Sequence, residues 1–225
     1  ADGTLDTSFD PGASADRPVR AIIVRSDGRI LIAGDFAHYA GIQMGRVALL
    51  EANGTPNTSF QSDVGADDQV FDMKVDPEGR IVIGGAFTHY QGEVRNNVAR
   101  LNANGSVDMS FDPGQGPHGT GIVFAVQPVE NIHETCILVG GNFYLFGGQF
   151  SGYTVGGMVR LNYDGTVNPA SDLSYPGVDV QGGGNSYIKT MLQAEPTSTL
   201  VGGNFSTFSE TPAGGIATRF LNGAQ

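Results

Sequence analysis

Short apolar stretches separated by Gly, Asp, Asn and Pro recur along the whole chain, and they come in pairs. The first members are Val19 to Val24, Val70 to Val75, Ile122 to Val126 and Tyr187 to Leu192. The second members share a pattern ending in phenylalanine. Arg29-Ile30-Leu31-Ile32-Ala33-Gly34-Asp35-Phe36 returns as Arg80-Ile81-Val82-Ile83-Gly84-Gly85-Ala86-Phe87, then as Cys136-Ile137-Leu138-Val139-Gly140-Gly141-Asn142-Phe143. The fourth copy is Ser198-Thr199-Leu200-Val201-Gly202-Gly203-Asn204-Phe205. Apolar runs of this length, bounded by turn residues and without a helical period, predict β-strands throughout.

The four phenylalanines lie 51, 56 and 62 residues apart, so the pairs belong to a repeat with insertions in its later copies. A third motif follows each pair: Arg46-Val47-Ala48-Leu49-Leu50, Asn97-Val98-Ala99-Arg100-Leu101, Met158-Val159-Arg160-Leu161 and, out of register, Ala217-Thr218-Arg219-Phe220. A fourth is Leu5-Asp6-Thr7-Ser8-Phe9, matched by Pro56 to Phe60 and Val107 to Phe111; Val167 to Ser171 lacks the phenylalanine. Each repeat therefore offers four strands, A to D. Asp27-Gly28, Glu78-Gly79, Asn53-Gly54, Asn104-Gly105 and Asp164-Gly165 predict two-residue hairpin turns with positive φ at both central residues, joining A to B and C to D.

Four antiparallel strands at this period predict an all-β fold, a β-propeller of four blades with repeats 1–51, 52–102, 103–162 and 163–225. A solenoid is the alternative. The chain opens on strand D material and stops after a strand C. The N-terminal strand is thus expected to complete the last blade and close the ring, unless the chain is a piece of a larger propeller.

Composition sharpens this reading. Glycine reaches 34 of 225 residues, against an average near 7%. Without a three-residue period, and with 40% hydrophobic residues, this means many tight turns rather than collagen or disorder. A net charge of −11 with no basic cluster argues against nucleic acid and against an anionic membrane surface. No apolar run is long enough for a membrane helix, so no membrane insertion is expected. The single cysteine, Cys136, excludes an internal disulfide and reads as a buried thiol.

Together, Asp2-Gly3-Thr4-Leu5-Asp6-Thr7-Ser8-Phe9, the strand pair around Asp27-Gly28-Arg29 and the Val-Ala-Arg-Leu-Asn motif at Val98 to Asn102 resemble the bacterial delta-60 repeat, a propeller repeat of unknown function. The resemblance covers essentially the whole chain and is weakest at 128–135 and 171–185. It implies an extracellular or cell-surface bacterial protein, part of a longer chain or larger assembly. It implies no chemistry, and no catalytic residue is carried over.

Function is expected on the face holding the long B–C and D–A loops, because rigid scaffolds place binding residues on loops. His38, Tyr39, His89, Tyr90, Tyr144, Phe146 and Tyr153 are the candidate ligand-binding residues. Tyr39, Tyr90 and Phe146 recur at one repeat position, which also fits packing between blades. The Gly-Gly pairs lie inside a strand without a following helix, so close approach or a bulge explains them rather than a phosphate cradle. Asp35, Asn142 and Asn204 are expected to satisfy loop backbone groups. Asp67-Asp68 and Asp6 to Asp10 are the places for calcium, but no Asp-x-Asp-x-Asp-Gly occurs; no metal or other cofactor is expected. His118 and His133 have no partner at zinc-ligand spacing. No Gly-x-Ser-x-Gly or His-Glu-x-x-His occurs, and no repeat stands out in carboxylates. The expectation is a non-enzymatic structural or interaction module with a protein partner. A carbohydrate-binding propeller is the alternative, and a glycosidase or lyase comes third.

Overall fold

The computed structural model describes residues 3–4, 6–61, 64–117, 121–130, 135–143, 145–147, 153–154, 156–168, 186–195, 198–208 and 211–220. Every regular element among them is a strand. In the first repeat β1 (Val19–Val24) pairs antiparallel with β2 (Ile30–Gly34), and β2 with β5 (Val47–Leu50). Between β2 and β5 the chain makes a two-stranded ribbon of β3 (His38–Tyr39) and β4 (Ile42–Gln43).

The next three repeats copy this plan. The second has β6 (Val70–Val75), β7 (Ile81–Gly85) and β10 (Val98–Leu101), with β8 (His89–Tyr90) and β9 (Glu93–Val94) as ribbon. The third has β11 (Ile122–Glu130), β12 (Thr135–Asn142) and β15 (Met158–Asn162), with ribbon β13 (Leu145–Phe146) and β14 (Tyr153–Thr154). The fourth has β16 (Tyr187–Glu195), β17 (Ser198–Asn204) and β20 (Ile216–Phe220), with ribbon β18 (Thr207–Phe208) and β19 (Thr211–Pro212).

Strands A, B and C of the sequence reading are present in all four repeats, but strand D shrinks to one residue pair. Leu50 bridges Pro56, Leu101 bridges Val107 and Leu161 bridges Val167. The cause is local. Asn57 and Asp108 each accept the amide of the serine two residues on, at 3.0 and 2.9 Å, and this turns the chain out of the sheet. The segment then crosses to the next repeat. Asp10, Gln61 and Asp112 donate their amides to Asn53, Asn104 and Asp164 carbonyls, each at 2.8 Å. The ordered segments thus tie each C–D turn to the segment before it. Among the described residues no pairing joins the N-terminal segment to β20, and the expected closure is not seen.

The hairpin turns also differ from expectation. At Arg25 to Arg29 the amide of Arg25 donates to the Arg29 carbonyl at 2.8 Å and that of Gly28 to the Arg25 carbonyl at 3.0 Å. Only the glycine has positive φ, +83°. This is a three-residue loop with glycine as the bulge, and Glu51 to Thr55 repeats it. Turns with positive φ at both central residues occur instead at the ribbon tips, Ala40-Gly41 and Gln91-Gly92.

Strands β1, β6, β11 and β16 lie along the inside and pack on one another in sequence, while β6, β11 and β16 also each meet the B strand of the repeat before. The glycine pairs make this fit. A Cβ on Gly84 would stand 2.5 Å from Cγ1 of Val123, and one on Gly140 would stand 2.7 Å from Cγ2 of Ile188. One residue on, a Cβ on Gly85 would be 2.0 Å from the Gln69 carbonyl oxygen. Opposite, each inner strand bulges, at Arg20, Phe71, Phe124 and Lys189. These four side chains converge. The Arg20 guanidinium lies 4.9 Å from the Phe71 ring centroid, Phe71 and Phe124 are 5.5 Å apart edge to face, and Lys189 Nζ is 4.1 Å from the Phe124 centroid. Asp35, expected to cap loop amides, instead holds Arg20 through both carboxylate oxygens, at 2.5 and 2.7 Å.

A second polar joint sits at the turn end. The buried Arg100 donates to Asp108 at 2.7 Å and to the Tyr163 carbonyl, and its guanidinium faces the Tyr163 ring at 4.8 Å. Arg80 also lies over that ring, at 4.5 Å. The Tyr163 hydroxyl donates to Asp76 and Glu78. Burial and these two carboxylates push its pKa well above the ordinary phenol value.

Candidate functional site

The two His-Tyr ribbons are built alike. In the first, Asp16 lies beside β3: its Oδ1 accepts the amides of Ala37 and His38 at 2.9 and 3.1 Å, and its Oδ2 lies 3.0 Å from His38 Nδ1. In the second, Asp67 accepts the amides of Thr88 and His89 at 2.8 and 3.0 Å, takes the Thr88 hydroxyl at 2.7 Å and lies 3.1 Å from His89 Nδ1. Backbone bridges Ala15 to Tyr39 and Ala66 to Tyr90 hold each incoming chain against its ribbon. The hydrogen bonds from His38 hold the Asp16 carboxyl below its ordinary pKa. At Asp67 burial acts upward, but the donors of His89 and Thr88 outweigh it and the carboxyl is again lowered. Both carboxylates are therefore ionised over the ordinary pH range and fix the imidazole rings.

Ribbon tips are braced too. Gln91, in the left-handed region at φ 52°, receives the Val107 amide on Oε1 at 2.9 Å and donates Nε2 to the Gln61 carbonyl.

A cleft of about 590 Å³ opens between the two ribbons, and His38 and His89 stand on its walls. Gln43, Arg46, Val64 and Asp67 line it as well. Arg46 donates Nη1 to the Ala66 carbonyl, so the guanidinium is tied to the cleft wall. The structure thus brings His38 and His89 to one place and adds Asp16 and Arg46, which the sequence reading had not singled out, and Asp67, which it had named only as a place for calcium. The signal that could have found the aspartates is their repeat spacing: each stands 22 residues before its histidine.

The aromatic candidates fare differently. Tyr39, Tyr90 and Phe146 are buried, at 4%, 0% and 0% exposure. Tyr39 and Tyr90 donate their hydroxyls to the carbonyls of Gly54 and Gly105, 3.0 and 3.1 Å away, and Phe146 meets Phe143 edge to face. Their faces are used inside the protein and are not free to stack on a sugar. Tyr153 lies on β14, and nothing is described of its side chain; Tyr144, His118, His133 and the loop 171–185 lie outside the described residues. Among the described residues no three His, Cys, Asp or Glu side chains are placed to hold a metal ion, Asp67-Asp68 included. Cys136 is buried in the third repeat's core.

Residues 25–60, 77–111 and 137–170 match the model of the domain of unknown function DUF5122 β-propeller. One match falls in each of the first three repeats. Each match begins at or beside strand B and ends in the segment after strand C, so one DUF5122 unit holds strand B, its ribbon, strand C and the crossing segment. The first two units carry the His-Tyr ribbons. No curated protein matches the chain. Among solved structures, one to which the chain is similar is PorZ, a bacterial surface component of the type-IX secretion system of Porphyromonas gingivalis. The identity is 10%, over 99% of this chain and 28% of that one, with a TM-score of 0.44. The chain thus spans less than a third of that protein.

Proposed function

We propose that this chain is a non-enzymatic binding module: four propeller blades that present a protein-docking cleft between the first two ribbons. The carrying observation is the cleft itself, walled by His38 and His89, each fixed by an aspartate that also caps its ribbon. A rigid, polar-edged opening between loops suits a protein surface or an inserted side chain. The lectin alternative is weakened by the burial of Tyr39, Tyr90 and Phe146. The four equivalent sheets support four blades, and the repeat family resemblance supports an extracellular or cell-surface setting within a larger assembly.

The test is to offer the immobilised chain a glycan array and the envelope-protein fraction of its source bacterium. The proposal expects a blank array and one or more captured proteins, lost when His38 and His89 are both changed to Glu. Glycan binding that survives the double substitution would replace this reading with the lectin one.

A further inference from the structure

One position of the repeat carries backbone strain, and its occupant changes along the chain. In each repeat the residue just before strand C accepts the amide of a strand B glycine on its carbonyl. Gly34 donates to Arg46, Gly85 to Asn97, Gly141 to Gly157 and Gly203 to Gly215, at 3.0, 2.9, 2.9 and 3.0 Å. All four acceptors lie in the left-handed region, at φ 67°, 66°, 80° and 86°. The third and fourth repeats meet this demand with glycine. Asn97 is of a residue type that tolerates the region, and its Nδ2 folds back onto the Gly85 carbonyl at 2.9 Å. Arg46 has neither excuse. Strain kept in one repeat where others carry glycine points to a use for the side chain.

Arg46 also lacks an anion. Arg20, Arg25, Arg29, Arg80 and Arg100 each sit against a carboxylate. Arg46 is half-buried and sits against none among the described residues; its Nη1 goes to the Ala66 carbonyl, and its Nε is buried without a partner. A guanidinium has five N–H donors. What remains for a ligand is the Nη end, whose two nitrogens match the two oxygens of a carboxylate.

This side chain lines the cleft, and both walls of the cleft belong to the chain itself, one to the first repeat and one to the second. The carboxylates around it are engaged. Asp16 holds the Ala37 and His38 amides and the His38 ring, and Asp67 holds the Thr88 hydroxyl, the Thr88 and His89 amides and the His89 ring. The Ala66 amide is committed too, to the Gly45 carbonyl. With these amides spent, they form no cradle for the terminal carboxylate of a chain. Arg46 is the cation left to meet a side chain.

We propose that Arg46 is the recognition residue of the cleft and receives the carboxylate of an Asp or Glu side chain of the partner protein. The proposal rests on the reading of the cleft as a protein-docking site and names the chemistry that site selects. The net charge of −11 acts on the partner as a whole; at the contact itself the near, unneutralised guanidinium decides, because distant charges are screened. Anchoring through Ala66 sets the side chain in place before binding, so less freedom is lost when the carboxylate arrives.

The experiment offers the immobilised full chain a random peptide library displayed on phage. Each peptide is fused at its carboxyl end, so that only side-chain carboxylates are free. Peptides that use the cleft are those lost when His38 and His89 are both changed to Glu. These are expected to share an acidic residue at one fixed place. Replacing it by its amide should weaken binding to wild type by about tenfold or more, and should change nothing further in Arg46→Gly or Arg46→Asn. Both variants carry what other repeats carry at this position, and should melt close to wild type. Cleft-dependent peptides without an acidic residue, or bound equally well by Arg46→Gly and Arg46→Asn, would overturn the proposal and leave the docking reading standing. A library that yields no cleft-dependent peptide would overturn both.

Discussion

Single residues decide how closely the repeats approach. Gly84 and Gly85 illustrate two different limits. Gly84→Val would drive methyl groups into Val123 and Val126, which are side chains and can shift, so a loss of about 1–3 kcal/mol is expected in urea unfolding. Gly85→Ala places one methyl 2.0 Å from a backbone oxygen that cannot move without breaking the bulge, and should cost more than the larger valine next door. The reverse order would contradict the close-approach account. Arg100 is the buried polar counterpart. Arg100→Ala leaves the buried Asp108 without its cation, and a loss of about 3–5 kcal/mol is expected. Arg100→Met with Asp108→Leu should recover most of it, which a double-mutant cycle would read directly. At this scale much was legible: the Gly-Gly pairs announced close approach in their spacing. Arg100 did not, because Arg100 and Arg160 occupy one repeat position and nothing in the sequence tells which arginine meets a tyrosine ring.

At the scale of elements, the three-stranded sheets could be read from the apolar pairs, and the ribbons could not. Two residues such as His38-Tyr39 are too short to show a period, and their turns, Ala40-Gly41 and Gln91-Gly92, lack the Asn or Asp that marks such turns. Strand D was over-read for the opposite reason. Its Asp-x-Ser and Asn-x-Ser patterns sit beside apolar residues, yet the side chains capture backbone amides and end the pairing after one residue. The ribbons owe their form to Asp16 and Asp67, which gives a pH dependence. Both carboxyls have native pKa values below the ordinary value, so their stabilisation is present above that value and is lost as pH falls through the lower native one. Protection of the Ala37, His38, Thr88 and His89 amides, taken relative to the intrinsic exchange rate at each pH, should therefore fall in acid before protection in β2 and β7 does. Asp67→Asn should produce faster exchange at Thr88 and His89 already at neutral pH, with the first ribbon unchanged. Uniform acceleration across both ribbons and their sheets would mean that the aspartates do not act locally.

Across the whole molecule, repetition separates scaffold from site. The inner strands, the glycine floors and the buried ribbon aromatics recur from repeat to repeat, and their recurrence is explained by the joints they make. The histidines recur only in the first two repeats, where the cleft opens. Sequence alone placed His38 and His89 on one face but could not bring them to one opening, because that depends on how far the second sheet rotates about the first. It also offered closure by the N-terminal strand, a pairing not seen among the described residues. The most direct test of a binding face between the ribbons is photo-crosslinking in the source organism. A benzophenone amino acid would replace Gln43 on the cleft wall in one variant, and Pro77 in the turn at the opposite end of the sheet in another. The account predicts a covalent protein adduct from position 43 and none from position 77. Adducts from position 77 alone would place the partner on the turn face and contradict it.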